Sequence, residues 1–137
     1  VEAREKLAAC VSVANQPKVK AAPVTVIIGF DPKFYDKLPE LFPHVDARPW
    51  FNWSADFARE TAFRNSSLQG AYLIMAARGL GWDTGPMSGF DKMAVDAAFW
   101  GETGIETNFI CSLGRGNGEG LFPRLPRLSF EDAAQIL

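Results

Sequence analysis

Gly81-Trp82-Asp83-Thr84-Gly85-Pro86-Met87-Ser88-Gly89-Phe90-Asp91 is the stretch on which the reading of this chain turns. A long apolar-periodic segment stops just before it, at Gly79-Leu80-Gly81, where a glycine can adopt the left-handed backbone that closes a helix. Asp91 stands where an N-cap belongs, ahead of a helix near residues 92–100 with Met93, Val95, Ala97, Ala98 and Phe99 as its apolar positions. Between the two helices, residues 84–87 read as a short extended piece. A connection this rich in glycine fits two roles: a tight helix–strand–helix link with no ligand, or a surface whose backbone amides face a planar, electron-rich ligand.

Upstream of this stretch, Ser54 caps the longest helix, over about residues 55–79. Phe57, Thr61, Asn65, Leu68, Tyr72 and Met75 recur along it at helical spacing, and several alanines supply small contact positions. Gly70 in its interior costs about 1 kcal/mol relative to alanine, which points to a close helix crossing there. Apolar residues wrap most of its circumference, as expected of a helix buried in the domain or at a subunit contact. Residues 39–53 form a loop carrying Phe42, His44, Trp50, Phe51 and Trp53, which either folds onto the core or walls a pocket. Val24-Thr25-Val26-Ile27-Ile28-Gly29-Phe30, nearly all apolar and bounded by Pro23 and Asp31-Pro32, is the strongest strand signal and reads as a central strand. A helix over residues 2–14 precedes it, and Asn15-Gln16-Pro17 reads as its stop. Downstream come a strand near 105–114, a glycine loop at 115–120, and Ser129 as the cap of a short terminal helix.

The 137 residues suffice for a single domain, and the formal charge of −2 leaves no electrostatic footprint for nucleic acid or an anionic membrane. Two cysteines far apart in sequence, Cys10 and Cys111, fit reduced thiols in a cytoplasmic protein. No apolar run is long enough to span a bilayer. A single histidine, His44, excludes a multi-histidine metal site, and no nucleophile–base pair or CxxC motif is present, so no metal and no catalytic side chain is assigned. An amide-rich turn together with two arginines, Arg124 and Arg127, points instead to a bound cofactor that carries the chemistry, with the arginines suited to a phosphate. Taken alone, such arginines read equally as solvated charges.

Ala22-Pro23-Val24 with its strand, Phe42-Pro43-His44-Val45-Asp46-Ala47-Arg48, Glu60-Thr61-Ala62-Phe63-Arg64-Asn65-Ser66-Ser67, Gly85-Pro86-Met87-Ser88-Gly89-Phe90-Asp91 and Arg124-Leu125-Pro126-Arg127-Leu128-Ser129-Phe130 together resemble the nitroreductase superfamily, and more narrowly its malonic semialdehyde reductase branch. The resemblance spans essentially the whole chain. It implies an α+β fold, a mixed and mainly antiparallel sheet flanked by helices, with the long helix at a homodimer interface. It also implies FMN as cofactor, NADH or NADPH as reductant, and hydride transfer to a small aldehyde. Pro86, Met87, Ser88 and Gly89 would lie beside the flavin ring, the Ser88 and Gly89 amides near its N5 and O4 edge. Arg124 and Arg127 match the pair that grips the FMN phosphate, Asn65 is a further cofactor contact, and Trp50 and Phe51 would border the substrate side. Many nitroreductases carry a glutamate where this chain has Ser88; the serine fits the semialdehyde branch.

The family's first flavin-binding motifs would precede Val1, so residues 1–137 read as one nitroreductase-like domain lacking its N-terminal part. A chain of this extent keeps the ring-facing turn and part of the phosphate grip. Other readings are a nitroaromatic or enone reductase using the same flavin, and a noncatalytic dimerisation module.

Overall fold

The computed structural model describes residues 1–137 in full. Helix α1 (Glu2–Cys10) and helix α2 (Gln16–Ala21) lead into strand β1 (Val24–Phe30), followed by the short helix α3 (Leu38–Leu41) and the long helix α4 (Ala55–Gly79). Strand β2 (Asp83–Met87), helix α5 (Lys92–Phe99), strand β3 (Glu106–Gly114) and the short helix α6 (Phe130–Ala133) complete the chain. The three strands form one sheet in the order β1-β3-β2, with both pairings antiparallel. Strand β1 therefore lies at an edge and β3 at the centre, which corrects the expectation drawn from apolarity. Half-burial of β1 beneath α4 calls for the same β-branched run as a central position does.

The first helix is shorter than its periodicity predicts. It ends at Cys10, Val11 makes an isolated bridge to Phe90, and the chain re-enters helix at Gln16 with Pro17 in the first turn. Proline is well placed there, because a first-turn N–H has no intrahelical acceptor. Asn15-Gln16-Pro17 thus starts a helix where it reads as a stop.

Helices pack on both faces of the sheet. On one face Leu7, Ala8 and Val11 of the α1 region, Val19 of α2 and Val95 of α5 meet Met87 and Ile110 in the main apolar cluster. Alpha-4 covers the other face, with Ala58, Ala62, Ser66, Gly70 and Ala77 turned inward. A bulge shapes this contact: Ile28 pairs with Phe109 and Gly29 with Thr107, leaving Asn108 as the extra residue. Asn108 and Phe109 consequently both reach α4. Asn108 Nδ2 donates to Ser67 Oγ at 2.9 Å and Ser66 Oγ at 3.3 Å, while Phe109 lies over Gly70. A Cβ at Gly70 would sit 2.5 Å from Phe109 Cε1, so this glycine admits an aromatic ring of the sheet and not a second helix.

The outward face of α4 carries Leu68, Tyr72 and Met75, all exposed, while Phe63 on its flank packs edge-on against Phe30 at 5.6 Å. No helix is long and apolar enough to cross a membrane.

Candidate functional site

The turn after α4 is built by a glycine motif that the sequence announces. Gly81 takes φ +82°, Trp82 N–H donates to Ala77 O at 2.9 Å, and Gly81 N–H donates to Arg78 O at 3.0 Å. These two bonds are the Schellman closure of a helix. The chain then runs as β2 along β3, with Asp83 opposite Gly114 and Met87 opposite Ile110. Met87 is buried in the core, whereas Pro86, Ser88 and Gly89 are exposed. Asp91 ends the segment as the N-cap of α5, its side chain accepting from Ala94 N–H at 3.0 Å.

Between β2 and α5 the backbone is held on one side and free on the other. Gly89 O accepts from Ser12 N–H at 2.9 Å and from Asn15 Nδ2 at 3.1 Å, and Asp91 N–H donates to Cys10 O at 2.8 Å. Phe90 N–H closes back on Ser88 O at 3.0 Å. The Ser88 and Gly89 N–H groups donate to nothing within the chain. Two adjacent amide donors, exposed and unpartnered, are what an acceptor-rich planar group requires.

Beside them opens a cavity of about 600 Å³, lined among others by Lys18, Pro86, Met87, Ser112, Arg115 and Leu121. Its charge is set by Lys18 and Arg115. The one carboxylate on its wall, Asp83, accepts from Gly116 N–H at 2.8 Å and pairs with Arg78. The Gly116 amide, followed by the Arg78 guanidinium, holds the Asp83 carboxyl below the usual carboxylate range. Arg115 lies 5.5 Å from the centre of the Trp82 ring, which helps to fix the glycine loop over β2. Deeper in the sheet, burial pushes the Cys111 thiol up.

Alpha-5, which follows the turn, is anchored by a charge network. Asp96 accepts from Thr107 N–H at 2.8 Å, Thr107 Oγ1 at 2.6 Å and Lys92 Nζ at 2.7 Å. Lys92 also reaches Glu106 at 2.9 Å, and Arg59 of α4 grips Glu106 at 2.7 Å. Burial works against charge on Asp96, and the bonds from Lys92 and Thr107 overcome it, leaving the carboxyl below its ordinary value. Arg59, against some burial and with help from Lys92, does the same for Glu106.

The sequence-predicted site residues do not all meet. Pro86 and Met87 line the cavity, and Ser88 and Gly89 continue the same backbone. Arg124 and Arg127 lie in a run from 115 to 137 whose residues are all exposed, and Arg127 Nη1 donates only to Leu125 O at 2.9 Å and Pro126 O at 3.2 Å. Asn65 is exposed on α4; its neighbour Ser66 makes the inward contact, donating to Gly29 O at 2.9 Å. Trp50 and Phe51 belong to an aromatic patch at the other end of α4: Trp50 packs 5.9 Å from Phe42, and Phe51 packs 4.9 Å from Phe34 and 6.2 Å from Phe57. His44 is part of that patch, edge-on to Phe42 at 5.2 Å. Sequence reasoning passed over Ser12, Asn15 and Lys18. An asparagine two residues ahead of a proline is a helix-start signal, and it could have marked them.

No family model matches the chain. Among curated sequences, a protein of Stenotrophomonas maltophilia strain R551-3 bearing the name NADH dehydrogenase/NAD(P)H nitroreductase is 60% identical over 135 residues, covering 98% of this chain and 69% of the relative. The similarly named HadB of Ralstonia pickettii is 58% identical over 139 residues, 99% of this chain and 71% of its own. Two solved structures share the fold. A nitroreductase-named protein of Bacillus subtilis superposes with a TM-score of 0.85 at 22% identity, over 99% of this chain and 73% of its own. A second, from Exiguobacterium sibiricum and described in complex with FMN, gives 0.84 at 22% identity, over 99% and 72%. The fold is thus nitroreductase-like, and the chain belongs to the NADH dehydrogenase/NAD(P)H nitroreductase family.

Proposed function

We propose that this chain is the flavin-holding part of an FMN-dependent oxidoreductase that passes hydride from NAD(P)H to a small aldehyde, malonic semialdehyde, giving 3-hydroxypropanoate. The observation that carries the reading is the pair of unpartnered Ser88 and Gly89 amides, which continue the Pro86–Met87 backbone of a cavity lined by Lys18 and Arg115. These residues fit FMN: a flavin ring presents acceptors along one edge and its phosphate is an anion, while this site offers donors and cations. The enzymatic names of the relatives and the FMN in the Exiguobacterium complex support the choice of cofactor.

When bound, FMN supplies the two-electron chemistry, and the protein contributes the surroundings. Ser88 and Gly89 N–H groups would orient the ring and offer donors to negative charge on it. Pro86 and Met87 offer an apolar contact that excludes water from one side. Lys18 places a cation beside the same surface, suited to the reduced ring or to the carboxylate of the acceptor. Arg124 and Arg127, on the exposed C-terminal run, are the residues proposed for the phosphate from the family resemblance.

Trp50, Phe51 and Asn65 make no contact with the turn within this chain, and a second copy is the proposed route by which they approach a flavin. Trp50 and Phe51 precede α4, and Asn65 is exposed on its N-terminal half, while the turn follows β2 at the level of Ile110. A homodimer joined through the exposed face of α4 would cover Leu68, Tyr72 and Met75.

The test is turnover by FMN-reconstituted protein with NADH and with NADPH, comparing malonic semialdehyde with a nitroaromatic. A higher kcat/KM for the aldehyde supports the reading. Preference for the nitroaromatic would shift the assignment to the second reading, which the relatives' printed names favour. No turnover of either, with flavin bound, would favour the noncatalytic module.

A further inference from the structure

We infer that Asn15 is the positioning residue for the Gly89 amide, one of the two free donors of the turn. The inference rests on the flavin reading for its functional meaning. Three bonds and the planarity of two peptide groups carry the structural part. Ser12 N–H and Asn15 Nδ2 both hold Gly89 O, at 2.9 and 3.1 Å. A peptide group is planar and trans, so a fixed Gly89 carbonyl fixes the Phe90 N–H on the opposite side of the same plane. That N–H donates to Ser88 O at 3.0 Å, which fixes the next plane and turns the Gly89 N–H outward. The orientation of the free donor is therefore relayed from the side chain of Asn15 through two rigid units.

Two further observations single out Asn15. It occupies the N-cap of α2, a position where asparagine ordinarily accepts from an N–H of the first turn, yet its side chain makes no capping bond. The amide is used elsewhere: Nδ2 on Gly89, and Oδ1 on Lys18 Nζ at 3.2 Å. The ammonium on Oδ1 keeps the nitrogen turned to the carbonyl. The fit is also tight, since a Cβ at Gly89 would lie 2.7 Å from Asn15 Nδ2 and 2.9 Å from Ser12 Oγ. Asn15 thus ties together Lys18, which lines the cavity, and the Gly89 amide.

The experiment compares wild type with Asn15→Ala and Asn15→Asp in the full chain, using amide hydrogen exchange without flavin and FMN affinity by quenching of flavin fluorescence. Asn15→Asp sets an oxygen against the Gly89 carbonyl while keeping a partner for Lys18, so it should be the more damaging. Expected are Phe90 amide exchange at least tenfold faster in both variants and FMN affinity at least tenfold weaker. The Ile110 amide at the sheet centre should keep its wild-type exchange, and the midpoint potential of any flavin still bound should fall. Unchanged Phe90 exchange would overturn the relay, and if affinity nevertheless dropped, Asn15 would act by direct contact. Should either variant lose Ile110 protection as well, the milder Asn15→Ser, which can cap α2 but cannot reach Gly89, reads the relay in its place. A wild type that takes up no FMN would remove the functional reading, while the exchange data still decide the relay.

Discussion

Removing the Asp96 carboxylate tests how the helix after the turn is held. Asp96 accepts three hydrogen bonds, two of them from Thr107, which is 2% exposed and cannot turn to water. Asp96→Ala leaves the Thr107 N–H buried without an acceptor, a loss of about 1–3 kcal/mol. The Thr107 hydroxyl still accepts from Trp100 Nε1 at 2.9 Å but loses its own acceptor, roughly another 1 kcal/mol. Lys92 keeps Glu106 as partner, so its share is a few tenths, on the order of other partly exposed pairs. The sum is about 2–4 kcal/mol, a large fraction of the total for a protein of this size. With a urea m-value of about 2 kcal/mol/M, the unfolding midpoint should fall by about 1–2 M. Asp96→Asn retains an oxygen for Thr107 and should cost about half as much. Circular dichroism during urea unfolding reads both. An alanine variant within about 0.5 kcal/mol of wild type, a margin typical of surface substitutions, would refute the reasoning, as would an asparagine variant equally damaged.

Gly70→Ala should destabilise by about 1–3 kcal/mol, since the methyl must displace the Phe109 ring, although alanine favours helix by about 1 kcal/mol. Thermal unfolding of Gly70→Ala in wild-type and Phe109→Leu backgrounds checks this: the alanine should turn neutral or stabilising once the ring is gone. Gly81→Ala should cost about 1 kcal/mol because φ is +82° there, again read by urea unfolding. Asp83, Asp96 and Glu106 all have folded pKa values below their ordinary ones, so their stabilisation is complete above about pH 5 and is lost as pH falls through the lowered values. Unfolding midpoints measured between neutral and acid pH should decline below about pH 5, and Asp96→Asn should flatten part of that decline.

Local chemistry made much of the fold legible. The caps at Ser54, Asp91 and Ser129 each accept the backbone N–H that their position predicts, and Gly81 closes α4 through its left-handed φ. These features depend on residues within one turn of each other, so the sequence carries them directly. The order of the strands does not follow from such signals, because an edge strand covered by a helix is as apolar as a central one. Burial of Asn108 against Ser66 and Ser67 depends on a bulge, which arises only when β1 and β3 pair. Within the candidate site, the turn could be read from glycine and proline, but its anchor on Asn15 lies 74 residues away in sequence. The separation of Arg124, Arg127, Asn65, Trp50 and Phe51 from the turn is likewise a matter of tertiary geometry, and in the proposed dimer, of a second copy.

The most direct test of the central claim is a titration of the purified chain with FMN, followed by the visible absorption and fluorescence of the flavin. Saturable uptake of one flavin per chain, with quenched fluorescence and a displaced visible band, is the predicted result. A chain that stays colourless and leaves flavin fluorescence unchanged at every concentration would contradict the assignment of the Ser88–Gly89 amides to a flavin site.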